Sequence, residues 1–257
     1  AHLVKERQLF KLIYASVLLT FLCAGILPAL PSSYEKAWTM LLQNNVSSGS
    51  IDGVPLNLVD YDNLQNNAEF RRVVQSIEQT DPAQLGDKNA KMAFWINVYN
   101  IAAINMILDN QPVESIRDIG SLFSPVWDKD AITINGTTYS LGHIEHEILR
   151  PMGDARIHFA IVCASVSCPD LRPESYSADK LDAQLDEQTR KFLQNEVKSL
   201  ALDRDKQVVH ISSIFKWFKE DFDGEQGILT FLSQYSDTDV SGYKIKYLPY
   251  NWNLNSK

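Results

Sequence analysis

The sequence contains little cysteine, little glycine or proline, and no excess of positive charge. Only 3 of its 257 residues are cysteines, which is too few for a fold held together by disulfides. The 11 glycines and 10 prolines exclude a collagen-like or low-complexity chain. Lys and Arg number 24 against 32 Asp and Glu, so the net charge of −8 argues against a nucleic-acid partner. These limits leave a globular protein, long enough for one large domain or two small ones.

Charge is also absent from residues 12–34, which follow a basic flank. A basic flank before an apolar segment is typical of a secretory signal peptide, so residues 1–30 are predicted to be one. The alternative is an uncleaved anchor, which would tether the protein to a membrane through residues 12–30. Either form predicts export to the periplasm, with residues 31–257 forming a single domain.

Apolar spacing predicts several helices around one buried helix. Residues 69–79 have the period of an amphipathic helix. Residues 87–108 are apolar on nearly every side, which is typical of a central helix buried in the core. Residues 44–53 are polar and predict a link after the first helix. Further helices are predicted at residues 141–150, 178–197, 212–222 and 228–235.

Strand patterns are short and irregularly spaced along the chain. Residues 131–140 predict a hairpin that turns at Asn135 and Gly136. Residues 156–163 are almost continuously apolar, which predicts a strand buried on both faces. Single strands are predicted at residues 207–212 and 243–248. Together these elements predict an α+β fold with a central buried helix, a small mixed or antiparallel sheet and surrounding helices.

Side chains with catalytic potential are densest between residues 143 and 170. Glu145 and His146 lie on a predicted helix, and His158 lies on the predicted buried strand. Cys168 follows in a loop of small residues. Loops at the ends of buried strands often carry catalytic side chains because the scaffold holds them rigidly.

One interpretation makes Cys168 the nucleophile of a thiol-dependent hydrolase or acyl transferase. His146, or His158 as second choice, would take its proton, since the thiolate attacks rather than the thiol. Glu145 or Asn97 would orient the imidazole. Backbone amides of the loop that carries Cys168 would stabilise the oxyanion.

Other interpretations of the same residues remain open. A disulfide between Cys163 and Cys168 would be stable in an oxidising compartment and would remove the nucleophile. His143 and His146, with His158 or Cys168, would be the ligands of a metal site, but their spacing is not that of the zinc peptidases, and no metal or cofactor is predicted. The third alternative is a non-enzymatic cell-envelope module that binds a peptide, a glycan or another protein.

Several of these residues also have structural explanations. The alternation of apolar residues in the predicted strand places Cys163 in the core and His158 on the opposite face. A buried histidine of this kind often only satisfies hydrogen bonds within the core. The aromatic residues of the predicted helix at 212–222 are expected to pack in the core.

Long motifs in four parts of the chain resemble one protein family. AFWINVYN, SLGHIEHEILR, RIHFAIVCASVSCPDLRPESY and SSIFKWFKEDF, in this order, are similar to motifs of the bacterial and plant family called domain of unknown function 547 (DUF547). The resemblance covers roughly Trp38 to Asn255 and implies a single domain, often exported in bacteria, with no established activity. The positions that match the family are Asn97, Tyr99, Asn100, Glu145, His146, Arg150, His158, Ser167, Cys168, Pro169, Asp221 and Phe222.

Overall fold

The computed structural model describes residues 33–257, so the predictions for the signal peptide or anchor lie outside the described residues. Its α-helices are α1 (Ser33–Asn45), α2 (Tyr61–Gln65), α3 (Ala68–Glu78), α4 (Lys88–Asn110), α5 (Leu141–His143), α6 (Leu181–Leu193), α7 (Ile214–Trp217) and α8 (Gly224–Tyr235). Its strands are β1 (Val46–Ile51), β2 (Val54–Val59), β3 (Asp130–Ile134), β4 (Thr137–Ser140), β5 (Leu200–Asp203), β6 (Val208–Ile211) and β7 (Lys244–Tyr247). The helices carry more residues than the short strands, and the α+β prediction is confirmed.

The helix α4 runs through the core and confirms the predicted central helix. The Asp87 side chain accepts a hydrogen bond from the Ala90 amide and so caps its N-terminus. Nearly all side chains from Met92 to Leu108 are buried. The helix is long and apolar enough to cross a membrane, but 89% of its most apolar stretch is buried inside the protein, which identifies it as a core helix.

Two asparagines of α4 bind buried backbone segments that do not belong to any described sheet. The Asn97 amide donates to the Tyr176 carbonyl (2.8 Å) and accepts from the Tyr176 N–H (3.0 Å). The Asn100 amide donates to the Ala160 carbonyl (3.0 Å) and accepts from the Val162 N–H (2.8 Å). Each asparagine therefore satisfies one buried donor and one buried acceptor, as buried polar groups require.

The described strands form three small sheets. β1 pairs with β2 and β3 pairs with β4, both antiparallel, whereas β6 lies between antiparallel β5 and parallel β7. The predicted hairpin at Asn135 and Gly136 is confirmed, and both residues have the positive φ that its turn needs. The predicted polar link at residues 44–53 is wrong, because β1 and the β1–β2 turn occupy it. Most of β1 is exposed, so no apolar alternation marked it in the sequence.

The strand predicted at residues 156–163 is also wrong. Ala155–Phe159 forms a 3₁₀-helix, and the chain then turns. The segment is buried as expected, but a short apolar run does not distinguish a buried strand from a buried helix. Its backbone groups are satisfied within the turn, where the Ala160 N–H donates to the Ile157 carbonyl (2.9 Å), and by Asn100.

The helix predicted at residues 141–150 is present but changes its pitch. After α5, residues Ile144–Leu149 form a π-helical turn, and Arg150–Met152 form a 3₁₀ turn. Ser140 caps the start by accepting a hydrogen bond from the His143 N–H (3.0 Å). π-helical turns of this kind are frequent at functional sites. The helix predicted at 212–222 likewise divides into α7 and a 3₁₀ turn.

The chain after β7 returns across the fold to the segment that carries both described cysteines, residues 163–168, here called the cysteine loop. Backbone N–H groups of Val166 and Ser167 donate to the carbonyls of Asn253 (2.9 Å) and Asn251 (3.1 Å). This pairing holds the C-terminal aromatic residues beside the cysteine loop.

Candidate functional site

A cavity of about 540 Å³ is lined by residues of both large hydrophobic clusters, one around α4 and one rich in phenylalanine. Its polar and nucleophilic lining includes Tyr99, Glu145, His146, His158, Cys163 and Cys168. These residues come from distant parts of the chain. A concave, partly apolar cavity with converging polar groups is the usual form of a small-molecule site.

His158 lies between two carboxylates and is only 3% exposed. Its Nε2 is 2.7 Å from Asp221 Oδ2, and its Nδ1 is 3.6 Å from Glu145 Oε1. A carboxylate only accepts hydrogen bonds, so Nε2 carries the hydrogen. The longer distance exceeds a hydrogen bond, and Nδ1 is buried without a partner. The ring stacks on Phe218 with centroids 3.9 Å apart, which fixes its plane.

Asp221 links His158 to Arg150. The guanidinium donates from Nε to Asp221 Oδ2 (2.6 Å) and from Nη2 to Oδ1 (2.7 Å), which is a bidentate pair. Burial tends to raise the pKa of Asp221, but hydrogen bonds from Arg150 and His158 outweigh it and hold that pKa below its usual range. Asp221 is therefore a stable anion that orients the imidazole. Arg150 Nη1 also lies 3.1 Å from Nδ1 of His146.

Glu145 belongs to the π-helical turn and is 7% exposed. Its nearest described neighbours include His158 and the Tyr99 hydroxyl. Burial raises the pKa of Tyr99 well above its usual value, and the charge of Glu145 and a hydrogen bond to it add to the effect. Tyr99 therefore remains a protonated donor toward Glu145.

Cys163 and Cys168 are free thiols whose Sγ atoms are 2.9 Å apart. The hydrogen bond from Cys168 lowers the pKa of Cys163, outweighing burial, and the Tyr250 hydroxyl at 3.3 Å lowers it further. Burial raises the pKa of Cys168 well above that of an ordinary thiol, and its contact with Cys163 adds to the rise. The pair therefore ionises first at Cys163, while Cys168 keeps its proton.

A buried ion pair holds the end of the cysteine loop. Lys198 Nζ donates to the Cys168 carbonyl (2.8 Å) and to Asp170 Oδ1 (2.7 Å). The Lys198 side chain is 2% exposed and that of Asp170 is 14% exposed. The pair satisfies a backbone carbonyl as well as two charges, and so fixes where the Cys168 backbone lies.

One wall of the cavity is aromatic and contains Trp127, Trp217, Tyr250 and Trp252, here called the aromatic wall. Trp217 stacks on Trp252 at 5.6 Å, and Tyr250 lies 4.5 Å from Trp252. Arg117 sits over the Trp252 ring, 5.1 Å from its centroid. A second cavity of about 710 Å³ shares Arg117, Trp127 and Trp252 with the first. Two residues of the aromatic wall, Trp127 and Trp252, therefore line both cavities.

A family model described as "Protein of unknown function, DUF547" matches residues 82–193. The chain carries a DUF547 domain over these residues. The matched range contains Tyr99, the π-helical turn, His158 and the cysteine loop, but not Asp221 or the C-terminal aromatic residues. Searches of the curated proteins and of the solved structures found no match.

Four of the five residues predicted from the sequence line the cavity of this DUF547 protein: Glu145, His146, His158 and Cys168. Asn97 does not, because both polar atoms of its amide bind the Tyr176 backbone. Its amide is therefore occupied, and Asp221 is the residue that holds the imidazole of His158.

The expected oxyanion donors are also occupied. The Ser167 N–H donates to the Asn251 carbonyl (3.1 Å), and the Cys168 N–H donates to the Ser165 carbonyl (3.0 Å). Neither amide is therefore free for a substrate. His143 packs edge-on against Tyr139 at 5.3 Å, and among the described residues no group of three or more metal-binding side chains is arranged around a common point.

Three features of the cavity were missed in the sequence. Cys163 lines it as well as packing against the core, because residues 156–163 are not a strand. Trp217 and Phe218 line it too, although the sequence predicted a core helix. Tyr250 reaches Cys163 only because the chain after β7 folds back. The available sequence signal was the family resemblance, which already included Asp221.

Proposed function

We propose that the cavity is the active site of a thiol-dependent hydrolase or acyl transferase in which Cys163 supplies the attacking sulfur. The observation that carries the proposal is the thiol pair on the cavity wall, in which Cys163 ionises more readily than Cys168. Because the thiolate is the nucleophile, this asymmetry favours Cys163. The reaction class expected from the sequence is kept, and the nucleophile moves by five residues.

Cys168 assists as a hydrogen-bond donor rather than as the nucleophile. The residue is 3% exposed, and its sulfur keeps its proton because burial disfavours the charged form. A thiol held 2.9 Å from Cys163 stabilises negative charge on the Cys163 sulfur. Loss of that donor is expected to slow the attack without abolishing it.

His158 is the general base and acid of the proposed reaction. Asp221 binds the hydrogen on Nε2, so the neutral ring has a bare Nδ1 that is able to accept a proton. Arg150 fixes Asp221 in turn, which resembles the acid that orients the imidazole in catalytic triads. His146, the first choice from the sequence, is more exposed than His158 and becomes the second choice.

In the proposed reaction, His158 takes the proton of the Cys163 thiol and becomes an imidazolium. The thiolate adds to an acyl carbonyl, so a C–S bond forms as the carbonyl π bond opens to an oxyanion. The leaving group departs with a proton from the His158 imidazolium. Water or another acceptor then adds to the thioester while His158 takes its proton, and the Cys163 thiolate leaves. The Tyr250 hydroxyl stays protonated because burial raises its pKa, so it is able to donate to the oxyanion once the sulfur has lost its charge.

The test uses p-nitrophenyl acetate, a small activated ester, with the full chain. Cys163→Ser is expected to lower nitrophenolate release by about a thousandfold, and Cys168→Ser by about tenfold. His158→Asn is expected to resemble Cys163→Ser. His143→Asn is the matched control, because His143 is an exposed histidine that packs on Tyr139 and does not line the cavity.

Trypsin releases both cysteines of the cysteine loop in one peptide, residues 157–180, because Arg172 precedes a proline. Fragmentation of this peptide locates the acetyl group. The proposal requires the group on Cys163. An acetyl group on Cys168 alone, or an unchanged rate in Cys163→Ser, contradicts it.

A second candidate function is binding without catalysis, which the aromatic wall favours. Trp217 is 46% exposed within this wall, and large aromatic side chains contribute strongly to binding surfaces. A peptide or glycan panel is screened by tryptophan fluorescence. A ligand that binds wild type and Cys163→Ser equally, and leaves without covalent change, supports binding alone.

We also propose that the protein is exported to the periplasm. The basic flank and the uncharged residues 12–34 support this proposal. Bacteria that express the full chain are fractionated beside bacteria that express residues 31–257. The full chain is expected in the periplasmic or membrane fraction and the shorter chain in the cytoplasm. Recovery of both in the cytoplasm contradicts export.

A further inference from the structure

The cysteine loop brings two thiols close together without joining them. The Cys163 and Cys168 sulfurs are 2.9 Å apart, and the Cys163 N–H also donates to the Cys168 sulfur (2.9 Å). Between them, Ala164 has a left-handed backbone with φ of 58°, which turns the chain back on itself. Only a small movement is therefore needed for the two free thiols to form a disulfide.

The two sulfurs differ in access as well as in ionisation. Cys163 is half-buried, whereas Cys168 is 3% exposed, and both line the cavity. Hydroxyl groups of Tyr250 (3.3 Å) and Ser165 (3.5 Å) lie near the Cys163 sulfur. These contacts favour a reactive first sulfur and a protected second sulfur, which is the order that two-step thiol oxidation needs.

We propose that Cys163 and Cys168 form a reversible dithiol centre that reduces hydroperoxides. The Cys163 thiolate attacks the terminal peroxide oxygen, the O–O bond breaks, and the departing oxygen takes a proton to leave as an alcohol or as water. Cys163 becomes a sulfenic acid. The Cys168 thiol then attacks the Cys163 sulfur, the S–O bond breaks, and water leaves as the disulfide forms.

The electrons and atoms balance over these two steps. The two thiols lose two protons and two electrons, and one hydroperoxide is reduced to an alcohol and water. A small thiol such as dithiothreitol restores both thiols by exchange through a mixed disulfide. The centre rests in part on the proposed function, since it uses the same Cys163 sulfur, and oxidation is expected to block acyl transfer.

The aromatic wall favours a hydroperoxide with an apolar ring. Trp217, Tyr250 and Trp252 line the cavity that contains Cys163, so a ring held against them is close to the sulfur. Cumene hydroperoxide carries such a ring, and hydrogen peroxide does not. The proposal predicts that the ratio of the Cys163 oxidation rate to the glutathione oxidation rate is larger for cumene hydroperoxide than for hydrogen peroxide. Equal ratios would contradict the preference for an apolar ring and limit the site to a general peroxide-reactive thiol pair.

The test treats the reduced full chain at pH 6 with each peroxide beside free glutathione. After a brief exposure, the remaining thiols are blocked, and the mass of the tryptic peptide 157–180 is measured by mass spectrometry. Wild type is expected to lose two hydrogens from this peptide, and Cys163 is expected to react about tenfold faster than glutathione because more of it is ionised. Dithiothreitol should restore the two hydrogens.

Variants separate the two steps. Cys168→Ser is expected to stop at a sulfenic acid on Cys163, which dimedone traps, and Cys163→Ser should form neither product. Tyr250→Phe keeps both thiols and should react more slowly through loss of the hydroxyl donor. Circular dichroism checks that each variant is folded.

A wild-type peptide that keeps both hydrogens overturns the dithiol proposal, as does oxidation at the same rate as glutathione. These readings use mass alone, so they do not depend on any ester activity. Disulfide formation without acyl transfer overturns only the proposed function. Acyl transfer without disulfide formation overturns only the dithiol centre.

Discussion

Cys163 and Cys168 have the same side chain but different surroundings, and the difference sets their chemistry. Hydrogen bonds between Cys163 and both the Cys168 thiol and the Tyr250 hydroxyl lower the pKa of Cys163 and so favour its thiolate. Cys168 is buried and lies next to that thiolate, so a second negative charge there is unfavourable. Ionisation is therefore a property of the pair and its neighbours, not of cysteine itself.

This asymmetry predicts which cysteine reacts with iodoacetamide. The alkylation rate of Cys163 should rise with pH through a midpoint below the value of about 8.5 for an ordinary thiol. Tyr250→Phe should move the midpoint upward, because it removes one donor to the thiolate. The charged or titratable groups that influence this thiol include Cys168, Tyr250 and Glu145. Mass mapping of peptide 157–180 over a pH series measures it, and faster labelling of Cys168 contradicts the assignment.

The lowered pKa of Asp221 predicts how the free energy of unfolding changes at acid pH. Its pKa is lower in the folded chain, so its stabilising contribution is complete above the ordinary aspartate pKa of about 3.9 and is lost as the pH falls through the lower folded value. At pH 7, Asp221→Asn should lower the free energy of unfolding by about 1.5–3 kcal/mol, the range for hydrogen bonds to charged groups.

The difference between wild type and Asp221→Asn should shrink as the pH falls below 4, since wild type then also loses the carboxylate. Urea unfolding at pH 7 and pH 3 measures both quantities. Asp203→Asn is the control, because Asp203 pairs with Lys206 at the surface and should change stability little. An equal difference at both pH values would rule out the Asp221 contribution.

At the scale of elements, the cysteine loop depends on a charge that is buried behind it. Lys198 binds both the Cys168 carbonyl and Asp170, and its side chain is almost inaccessible to solvent. Removing one partner of a buried pair leaves the other charge unpaired. The loop geometry is therefore coupled to overall stability.

Lys198→Met is expected to lower the free energy of unfolding by about 3–5 kcal/mol and to make Cys168 more accessible to alkylation. Lys206→Met is the matched control, because the Lys206 ion pair is exposed and its loss should leave stability close to wild type. Urea unfolding and the alkylation rate of Cys168 measure the two effects. Similar behaviour of the two variants would contradict the role of Lys198 in holding the cysteine loop.

The helix α4 supports the segment before Cys163 through Asn100 rather than through a sheet. Asn100→Ala should leave the Val162 N–H and the Ala160 carbonyl without partners, and lower the free energy of unfolding by about 2–4 kcal/mol. Asn105→Ala is the control on the same helix, because its amide binds only the Asp109 side chain. Thermal and urea unfolding compare the variants, and equal losses would contradict the role of Asn100.

At the scale of the whole molecule, the site depends on the C-terminal segment of the chain. Backbone hydrogen bonds hold the chain after β7 against the cysteine loop, and Tyr61 donates to Asn255 Oδ1 at 2.7 Å. The cavity is therefore closed by residues far from α4 in sequence. A change in the C-terminal segment is therefore expected to alter the ionisation of Cys163.

A chain that ends at Leu248 should be less stable and should show a Cys163 midpoint closer to that of an ordinary thiol. It loses both the backbone pairing of the cysteine loop and the Tyr250 hydroxyl. Tyr250→Phe in the full chain separates the hydroxyl from the pairing. Urea unfolding and iodoacetamide kinetics measure the two losses, and unchanged values in the shorter chain would contradict the role of this segment.

Local pattern was enough to predict most of the elements. The period of α3, the apolar length of α4 and the turn residues of the β3–β4 hairpin depend on neighbours within a few positions. Residues 156–163 lacked such a pattern, since a buried 3₁₀-helix and a buried strand are equally apolar. The exposed strand β1 lacked it for the opposite reason, because few of its residues are buried.

The sequence by itself determined the α+β class, the central helix, the family and the group of residues that includes Glu145, His146, His158 and Cys168. Only the tertiary structure decided that Asp221 holds His158 and that Tyr250 lies against Cys163. These partners are 63 and 87 residues apart in the chain. Hydrogen bonds and pKa values depend on distances in space, whereas local sequence patterns describe only near neighbours along the chain.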